Sequence, residues 1–150
     1  MKALSIKQPW VWAILHAGKD VENRTWSTNY RGWLALHASG TPARVTDPAL
    51  PTRIRFPDLK SLDYSAICGV ARIVGITVNS RSKWFFHYHD GTINYGWLLA
   101  DVTPLTKPIA CKGSLGLWNV PPNIVRAVKC QLPKLNFTIA GEDATRRVRS

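Results

Sequence analysis

The sequence predicts one α+β domain, built on a small, curved or closed β-sheet with short helices at its flanks. The chain has 150 residues, which suits a single domain, and 45% of them are hydrophobic, enough to fill one core. Short apolar runs separated by Gly- and Pro-rich breaks are typical of several short strands in a curled sheet. The hydrophobic pattern that marks helices and strands weakens near the end of the chain. We therefore expect the domain at residues 1–130 and a peripheral basic C-terminal extension at residues 131–150.

The first part of the chain predicts a strand, a helix and two further strands. Residues 3–7 alternate enough for a short strand. Pro9–Ala17 follows as an amphipathic helix, because proline suits the first helical position and Gly18 can supply a left-handed cap. Residues 19–26 alternate between polar and apolar positions, and residues 32–38 do so again, so both segments predict strands.

A long Pro-, Thr- and Asp-rich excursion covers residues 39–65 and offers at most a short helix near Pro42–Ala49. Loops of this length are uncommon in compact domains and are often functional or mobile. Ala66–Val78 then gives the strongest strand signal of the chain, because it is apolar and β-branched.

The remaining elements are expected around two further breaks. Residues 79–94 form a polar and aromatic insertion that we expect to be exposed. Tyr95–Leu105 predicts a strand, after which the prolines at 104 and 108 are expected to break the chain. Residues 115–120 predict a last short strand, and residues 121–128 predict a brief helix.

Charge and aromatic content indicate a polyanionic partner. The chain carries 20 Lys and Arg against 9 Asp and Glu, a formal charge of +11. Each phosphate that such cations neutralise releases condensed counterions. Seven tryptophans exceed the needs of a core this size, and aromatic faces beside cations are what base stacking requires. The alternative is a protein that is basic for solubility or binds anions loosely.

Several classes of function lack support. No apolar run is long enough to cross a bilayer, and the N-terminus lacks the apolar stretch of a signal peptide, so we expect a soluble, cytoplasmic protein. The three cysteines form no CxxC pair, and no Gly-rich phosphate loop or hydrolase motif occurs, so we expect neither a metal nor a cofactor. His87 and His89 are spaced as a metal pair can be, but solvated loop histidines are the favoured interpretation. We expect His16 and His37 to be packing residues.

The densest polar segment runs from Gly18 to Arg24. If it forms a strand, Glu22 and Arg24 lie on one side, close to Lys19. A carboxylate between two cations can order their side chains around a bound anion. A surface salt-bridge cluster of little energetic value is an equally open interpretation.

Several strings resemble the ASCH (activating signal cointegrator homology) family, part of the PUA-like superfamily. Ser5-Ile6-Lys7-Gln8-Pro9-Trp10 followed by Gly18-Lys19 and Glu22-Asn23-Arg24-Thr25-Trp26 is similar to the family's opening. Tyr30-Arg31-Gly32, and the later Lys112-Gly113 with Leu117-Trp118, also resemble it. The resemblance covers about residues 3–121 and is strongest to the cointegrator-type branch.

The resemblance implies a PUA-like small β-barrel with flanking short helices and a cleft that binds RNA or another nucleic acid. Carried over by residue, Lys19, Glu22 and Arg24 line the cleft, with Gln8, Trp10 and Ser39 close by. The stacking candidates are Trp26 and Trp118, and the candidate phosphate contacts are Arg31 and Lys112. We therefore expect a module for RNA, single-stranded nucleic acid or a nucleotide.

Two alternatives stay open. Some relatives resemble amidohydrolases that deacylate modified cytidine, and others are described as ribonucleases; here Lys19 and Glu22 would be the catalytic pair. The amidohydrolase branch has a threonine where this chain has Glu22, and this chain has no further glutamate before Glu142. An adaptor role is the other alternative, with a protein partner at residues 84–89.

Overall fold

The computed structural model describes residues 1–44 and 53–138 and confirms the α+β class. Six strands form one sheet that curls into a half-barrel, accompanied by two helices. In chain order the elements are β1 (Lys2–Ile6), α1 (Trp10–His16), β2 (Val21–Arg24), β3 (Gly32–Ala38), a 3₁₀ turn (Leu59–Ser61), β4 (Ala66–Thr77), β5 (Tyr95–Ala110), β6 (Leu117–Asn119) and α2 (Pro122–Gln131).

The strand order across the sheet is β2-β5-β4-β3-β1-β6. β1 pairs with β3 in parallel, and every other pair is antiparallel. β2 follows α1 directly yet pairs with β5, so a short polar strand lies at one edge of the sheet. The residues that the sequence singles out between Lys19 and Arg24 therefore meet the chain that follows the aromatic insertion.

The two faces of the sheet bury separate parts of the core, since successive strand side chains point to opposite sides. Along β3, Leu34 and Leu36 belong to the cluster that α1 covers. Trp33 and Ala35 belong to the cluster that packs with α2. The helices thus flank opposite faces. None of the helices in the described ranges is both long and apolar enough for a membrane crossing.

β5 corrects one expectation, because it continues through both prolines to Ala110 instead of ending near Leu105. Gly69 pairs with Pro104 while Ile67 pairs with Ile109, so β5 carries extra residues between these partners. A bulge of this kind accommodates proline, because the strand there makes no regular ladder bond.

Two other expectations fall partly outside the described ranges. Of the possible helix Pro42–Ala49, only residues 42–44 are described, and they are irregular. Of the proposed C-terminal extension, α2 takes residue 131, and Leu132, Leu135 and Phe137 pack against the α2-side cluster. The domain boundary at residue 130 stays a prediction.

Candidate functional site

The end of α1 determines where Lys19 lies. Gly18 has a φ of 71°, as expected of a left-handed cap, and the Lys19 backbone N–H bonds back to the Ala13 carbonyl at 3.0 Å. The chain turns at once into β2, where Glu22 pairs with Trp97 of β5. A helix cap and an edge strand therefore bring the lysine and the carboxylate together.

Lys19, Glu22 and Arg24 form a continuous chain of ion pairs. Lys19 Nζ lies 3.0 Å from Glu22 Oε2 and also donates to the Val21 carbonyl. Glu22 Oε1 lies 3.2 Å from Arg24 Nε, and Arg24 Nη2 donates to the Ser5 carbonyl at 3.0 Å. Lys19 is 4% exposed and Glu22 is 7% exposed. Because both side chains are buried, the cluster is not a solvated surface network. Removing either partner of this pair would leave an uncompensated buried charge.

A cavity of about 210 Å³ opens beside this chain of ion pairs. It is lined by Trp10, Lys19, Glu22, Asn23, Trp84, Phe86 and Tyr88. Polar atoms come from β2 and from Lys19 just before it, and aromatic rings come from α1 and from the insertion after β4. The volume is below the roughly 300–1,000 Å³ of pockets for drug-sized ligands, so it suits one flat ring system.

Two asparagines hold the aromatic side of this cavity in place. Asn23 Nδ2 donates to the Trp84 carbonyl at 2.9 Å, and Asn94 Nδ2 donates to the Phe86 carbonyl at 2.7 Å. Asn94 Nδ2 also lies 2.6 Å from Asn23 Oδ1. An irregular segment is thereby tied to β2 through its backbone, which orients its rings without regular secondary structure.

Donor capacity remains inside the cavity. A lysine ammonium has three N–H donors, and the contacts found within the described ranges use two of those of Lys19. Trp84 is 5% exposed, and its buried indole N–H has no hydrogen-bond partner among the described residues. An unpaired donor carries a desolvation cost that a ligand acceptor can remove where it is within reach. The Trp84 N–H is enclosed by protein, so the donor available to a ligand is that of Lys19, which lines the cavity.

Three of the sequence-predicted site residues line the cavity: Trp10, Lys19 and Glu22. Arg24 extends the ion-pair chain. Gln8 instead caps α1, where its Oε1 accepts from the Trp12 N–H at 3.0 Å while its Nε2 donates to the Asp63 carbonyl.

The other predicted residues lie elsewhere. Ser39 bonds locally to the Thr41 carbonyl. Trp26 packs edge-on against Trp97 with 4.7 Å between ring centroids. Arg31 is exposed and lines a second, larger groove, and Lys112 is exposed in the loop between β5 and β6.

Trp118 belongs to a partly buried neutral cluster with Ser5 and His37. The Ser5 hydroxyl donates to His37 Nδ1 at 3.0 Å and accepts from Trp118 Nε1 at 3.2 Å. His37 Nε2–H donates to the Cys111 carbonyl at 2.7 Å. Burial lowers the pKa of His37 below its usual 6.5, against the opposing effect of that carbonyl. His37 is 2% exposed, so it is a packing residue, as the sequence predicts.

The aromatic insertion is where sequence reasoning missed most of the site. Trp84 is buried, Phe86 and Tyr88 are half-buried, and Phe85 lies against Gly96, so the segment is not the exposed insertion expected. The rings that line the cavity are at positions 84, 86 and 88. That alternation was the available signal, because in an extended segment alternate side chains share a side.

His87 and His89, between and after those rings, are exposed. Within residues 1–44 and 53–138, no group of His, Cys, Asp and Glu is arranged to hold a metal ion.

Fold and site together define a curled α+β half-barrel with a lysine- and carboxylate-bearing cavity beside its edge strand. The ASCH domain family matches residues 4–108 of the chain, and the protein belongs to this family. The resemblance to the cointegrator-type branch stays a prediction. A search of curated proteins gives no significant match.

Two solved structures share the PUA-like fold. The crystal structure of ASCH from Zymomonas mobilis is 17% identical, with a TM-score of 0.54 over 89% of this chain and 94% of that chain. A tyrosine-to-phenylalanine mutant of the protein from the same organism is also 17% identical, with a TM-score of 0.55 over 86% of this chain and 96% of that one.

Proposed function

We propose that the protein binds RNA or another single-stranded nucleic acid by accepting one unpaired base in the cavity above Lys19 and Glu22. The observation that carries the proposal is the composition of the cavity, with rings on one side and a buried lysine–carboxylate pair on the other. Ring faces stack on any base, while fixed donors and acceptors read its edge.

The polar side of the cavity offers complementary groups to a base edge. Lys19 can donate its remaining N–H to a carbonyl oxygen, and Glu22 can accept from an amino or imino group, because each carboxylate oxygen has two lone pairs. A base that is already unpaired enters without the few kcal/mol that extrusion from a duplex costs. This favours single strands over duplexes.

A candidate for a phosphate contact lies next to the cavity. Lys83 is exposed, and its Nζ lies 5.7 Å from the centroid of the Trp84 ring. A cation held over the ring next to the base site can meet the phosphate of the bound nucleotide. Lys83 is therefore a stronger candidate for this contact than Arg31, which lines the second groove, or Lys112, which lies in the loop between β5 and β6, because the Lys83 ammonium neighbours a ring of the cavity wall.

The test is titration of an unpaired RNA of about 12 nucleotides with Phe86→Ala, with Tyr64→Ala as a half-buried aromatic control outside the cavity. Loss of one stacked base costs about 1–3 kcal/mol, so the Kd should rise about 5- to 150-fold for Phe86→Ala only. Equal effects of the two substitutions would reject the proposal.

Hydrolysis of a modified nucleoside, or of RNA, is the second candidate, because the Lys19 and Glu22 side chains lie within proton-transfer distance inside the cavity. Against it, Nζ donates both to Val21 and to Glu22, and an ammonium engaged in this way has no lone pair for attack. Incubation with N4-acetylcytidine and with labelled RNA separates the candidates. Turnover that is lost in Lys19→Ala would favour the enzyme, and binding without turnover favours the module.

A further inference from the structure

A second concavity, of about 800 Å³, lies between the sheet and the segment that follows α2. None of its lining residues lines the aromatic cavity. Its charged residues are Arg31, Arg72, Lys134 and Asp101, three cations against one acid. We refer to it as the basic groove.

The two arginines of the basic groove are oriented by the protein. Arg31 donates through Nη1 to the carbonyls of Thr28 and Tyr30, both at 2.9 Å. Arg72 contacts Asp101 through Nε. A guanidinium has five N–H donors, so both arginines keep free donors on a fixed plane. Pre-oriented guanidinium groups lose less entropy when they bind phosphate than flexible side chains do.

The groove also has apolar surface at its base. Val74 lies two residues from Arg72 on β4, on the same side of the strand, and is 49% exposed. The Arg72 guanidinium carbon lies 6.0 Å from the Trp33 ring centroid, and Trp33 Nε1 donates to the Asn136 carbonyl at 2.7 Å. That bond fixes the far wall of the groove to the sheet. Cations beside exposed apolar surface suit a nucleic-acid backbone, in which charged phosphates alternate with sugars.

We infer that the basic groove binds the sugar–phosphate backbone of the same strand whose base enters the aromatic cavity. The ligand is then a polymer and not a free nucleoside, and this inference rests on the proposed function. Trp33 and its cross-strand partner Arg72 lie on the α2 side of the sheet, whereas Trp10 of the cavity lies on the α1 side. Along β5, Asp101 is four residues beyond Trp97, the partner of Glu22, or about 13 Å at 3.3 Å per residue. A strand that occupies both sites therefore has to pass around the edge of the sheet, which requires several nucleotides.

The test measures the Kd of an unpaired RNA of about 12 nucleotides against salt concentration, using the full chain. The groove variant is Arg31→Gln/Arg72→Gln/Lys134→Gln. The matched control is Lys60→Gln/Lys107→Gln/Arg126→Gln, which removes the same charge from exposed positions outside the groove. Each lost phosphate contact lowers the salt slope by about 0.7, so the groove variant should lose up to about 2 units and the control clearly less.

Asp101→Asn supplies a test that does not depend on the triple variant folding. Removing the one acid of the groove should tighten RNA binding at low salt about twofold or more, and the difference should shrink as salt rises. Unchanged affinity at all salt concentrations would contradict the inference.

The two proposals fail in different ways. Equal salt slopes for the groove and control variants would overturn the groove and leave the Phe86→Ala result intact. A groove-specific loss together with no effect of Phe86→Ala would instead retain the groove and reject the aromatic cavity as the base site. Binding of a single nucleotide should be unaffected by the groove variant, and a loss there would count against a polymer ligand.

Discussion

Two polar clusters meet at Ser5, and they differ in which hydrogen-bonding groups they leave unpaired. The charged cluster is Lys19, Glu22 and Arg24, and it reaches Ser5 through the backbone carbonyl. The neutral cluster is Ser5, His37 and Trp118, and it uses the Ser5 hydroxyl. The charged cluster adjoins the aromatic cavity, whereas Gly113 lies directly against the neutral one.

The difference agrees with the binding role proposed for the charged cluster and indicates a structural role for the neutral one. In the neutral cluster both imidazole nitrogens of His37 are engaged, by Ser5 and by the Cys111 carbonyl, so the cluster ties the loop after β5 to β1 and β3. The charged cluster keeps a lysine donor and carboxylate lone pairs beside an open volume. Burial alone therefore does not mark a functional residue; unused donors and acceptors facing a cavity do.

The largest effect is expected from Lys19→Met. It leaves Glu22 buried with only Arg24 as partner, which should lower the free energy of unfolding by about 3 kcal/mol in urea denaturation. RNA binding should fall as well, because the donor facing the cavity is lost. A change below about 0.5 kcal/mol would show that the pair is not buried in solution.

The double variant Lys19→Met/Glu22→Leu separates the two roles of the charged cluster. Replacing both partners by apolar residues removes the buried charges, so much of the lost stability should return. RNA binding should stay weak. Recovery of binding together with stability would contradict a direct role for this pair.

A smaller effect, confined to the neutral cluster, is expected from Gly113→Ala. A Cβ there would lie 2.5 Å from His37 Cε1 and 2.6 Å from Ser5 Oγ. Such overpacking typically costs about 1–3 kcal/mol, measurable as a lower thermal midpoint. Gly75→Ala is the control, since its Cβ would meet Leu98 at an ordinary 3.4 Å. The RNA affinity of the folded protein should not change. If RNA binding weakened together with stability, the neutral cluster would also contribute to binding.

The smallest effect is expected from pH. The pKa of folded His37 is lower than the usual 6.5, so its neutral form stabilises the fold above about pH 6.5. This contribution to stability is lost as the pH falls through the pKa of folded His37, because the unfolded chain binds the proton more tightly. The thermal midpoint of the wild type should therefore fall further than that of His37→Gln between about pH 7.5 and pH 5. If the thermal midpoints of the two proteins fell equally with pH, protonation of His37 would not be coupled to unfolding.

The fold and half of the site follow from local sequence signals. Alternation predicts β3, and a glycine after an apolar run predicts the end of α1, so the positions of Lys19 and Glu22 beside a helix end follow from the chain alone. What local signals do not give is which distant segment covers a cleft. Asn23 bonds the Trp84 carbonyl across 61 residues of sequence, and Asn94 bonds Asn23 across 71 residues.

The prolines of β5 and the tryptophans show the same limit. The sequence predicts that the strand ends near Pro104, because proline has no N–H for the sheet ladder. The sheet accommodates this proline beside a bulge in the pairing of β5 with β4, which only the folded sheet reveals. Trp26 and Trp118 are of a residue type that stacks on bases. In the fold, however, Trp26 packs against Trp97 and Trp118 packs against His37.

The most direct test of the central claim is a crystal structure of the protein with a short unpaired RNA. We expect one base inside the cavity, its ring against Phe86 and its edge within hydrogen-bonding distance of Lys19 Nζ or the Glu22 carboxylate. RNA bound elsewhere, with no base in that cavity, would contradict it.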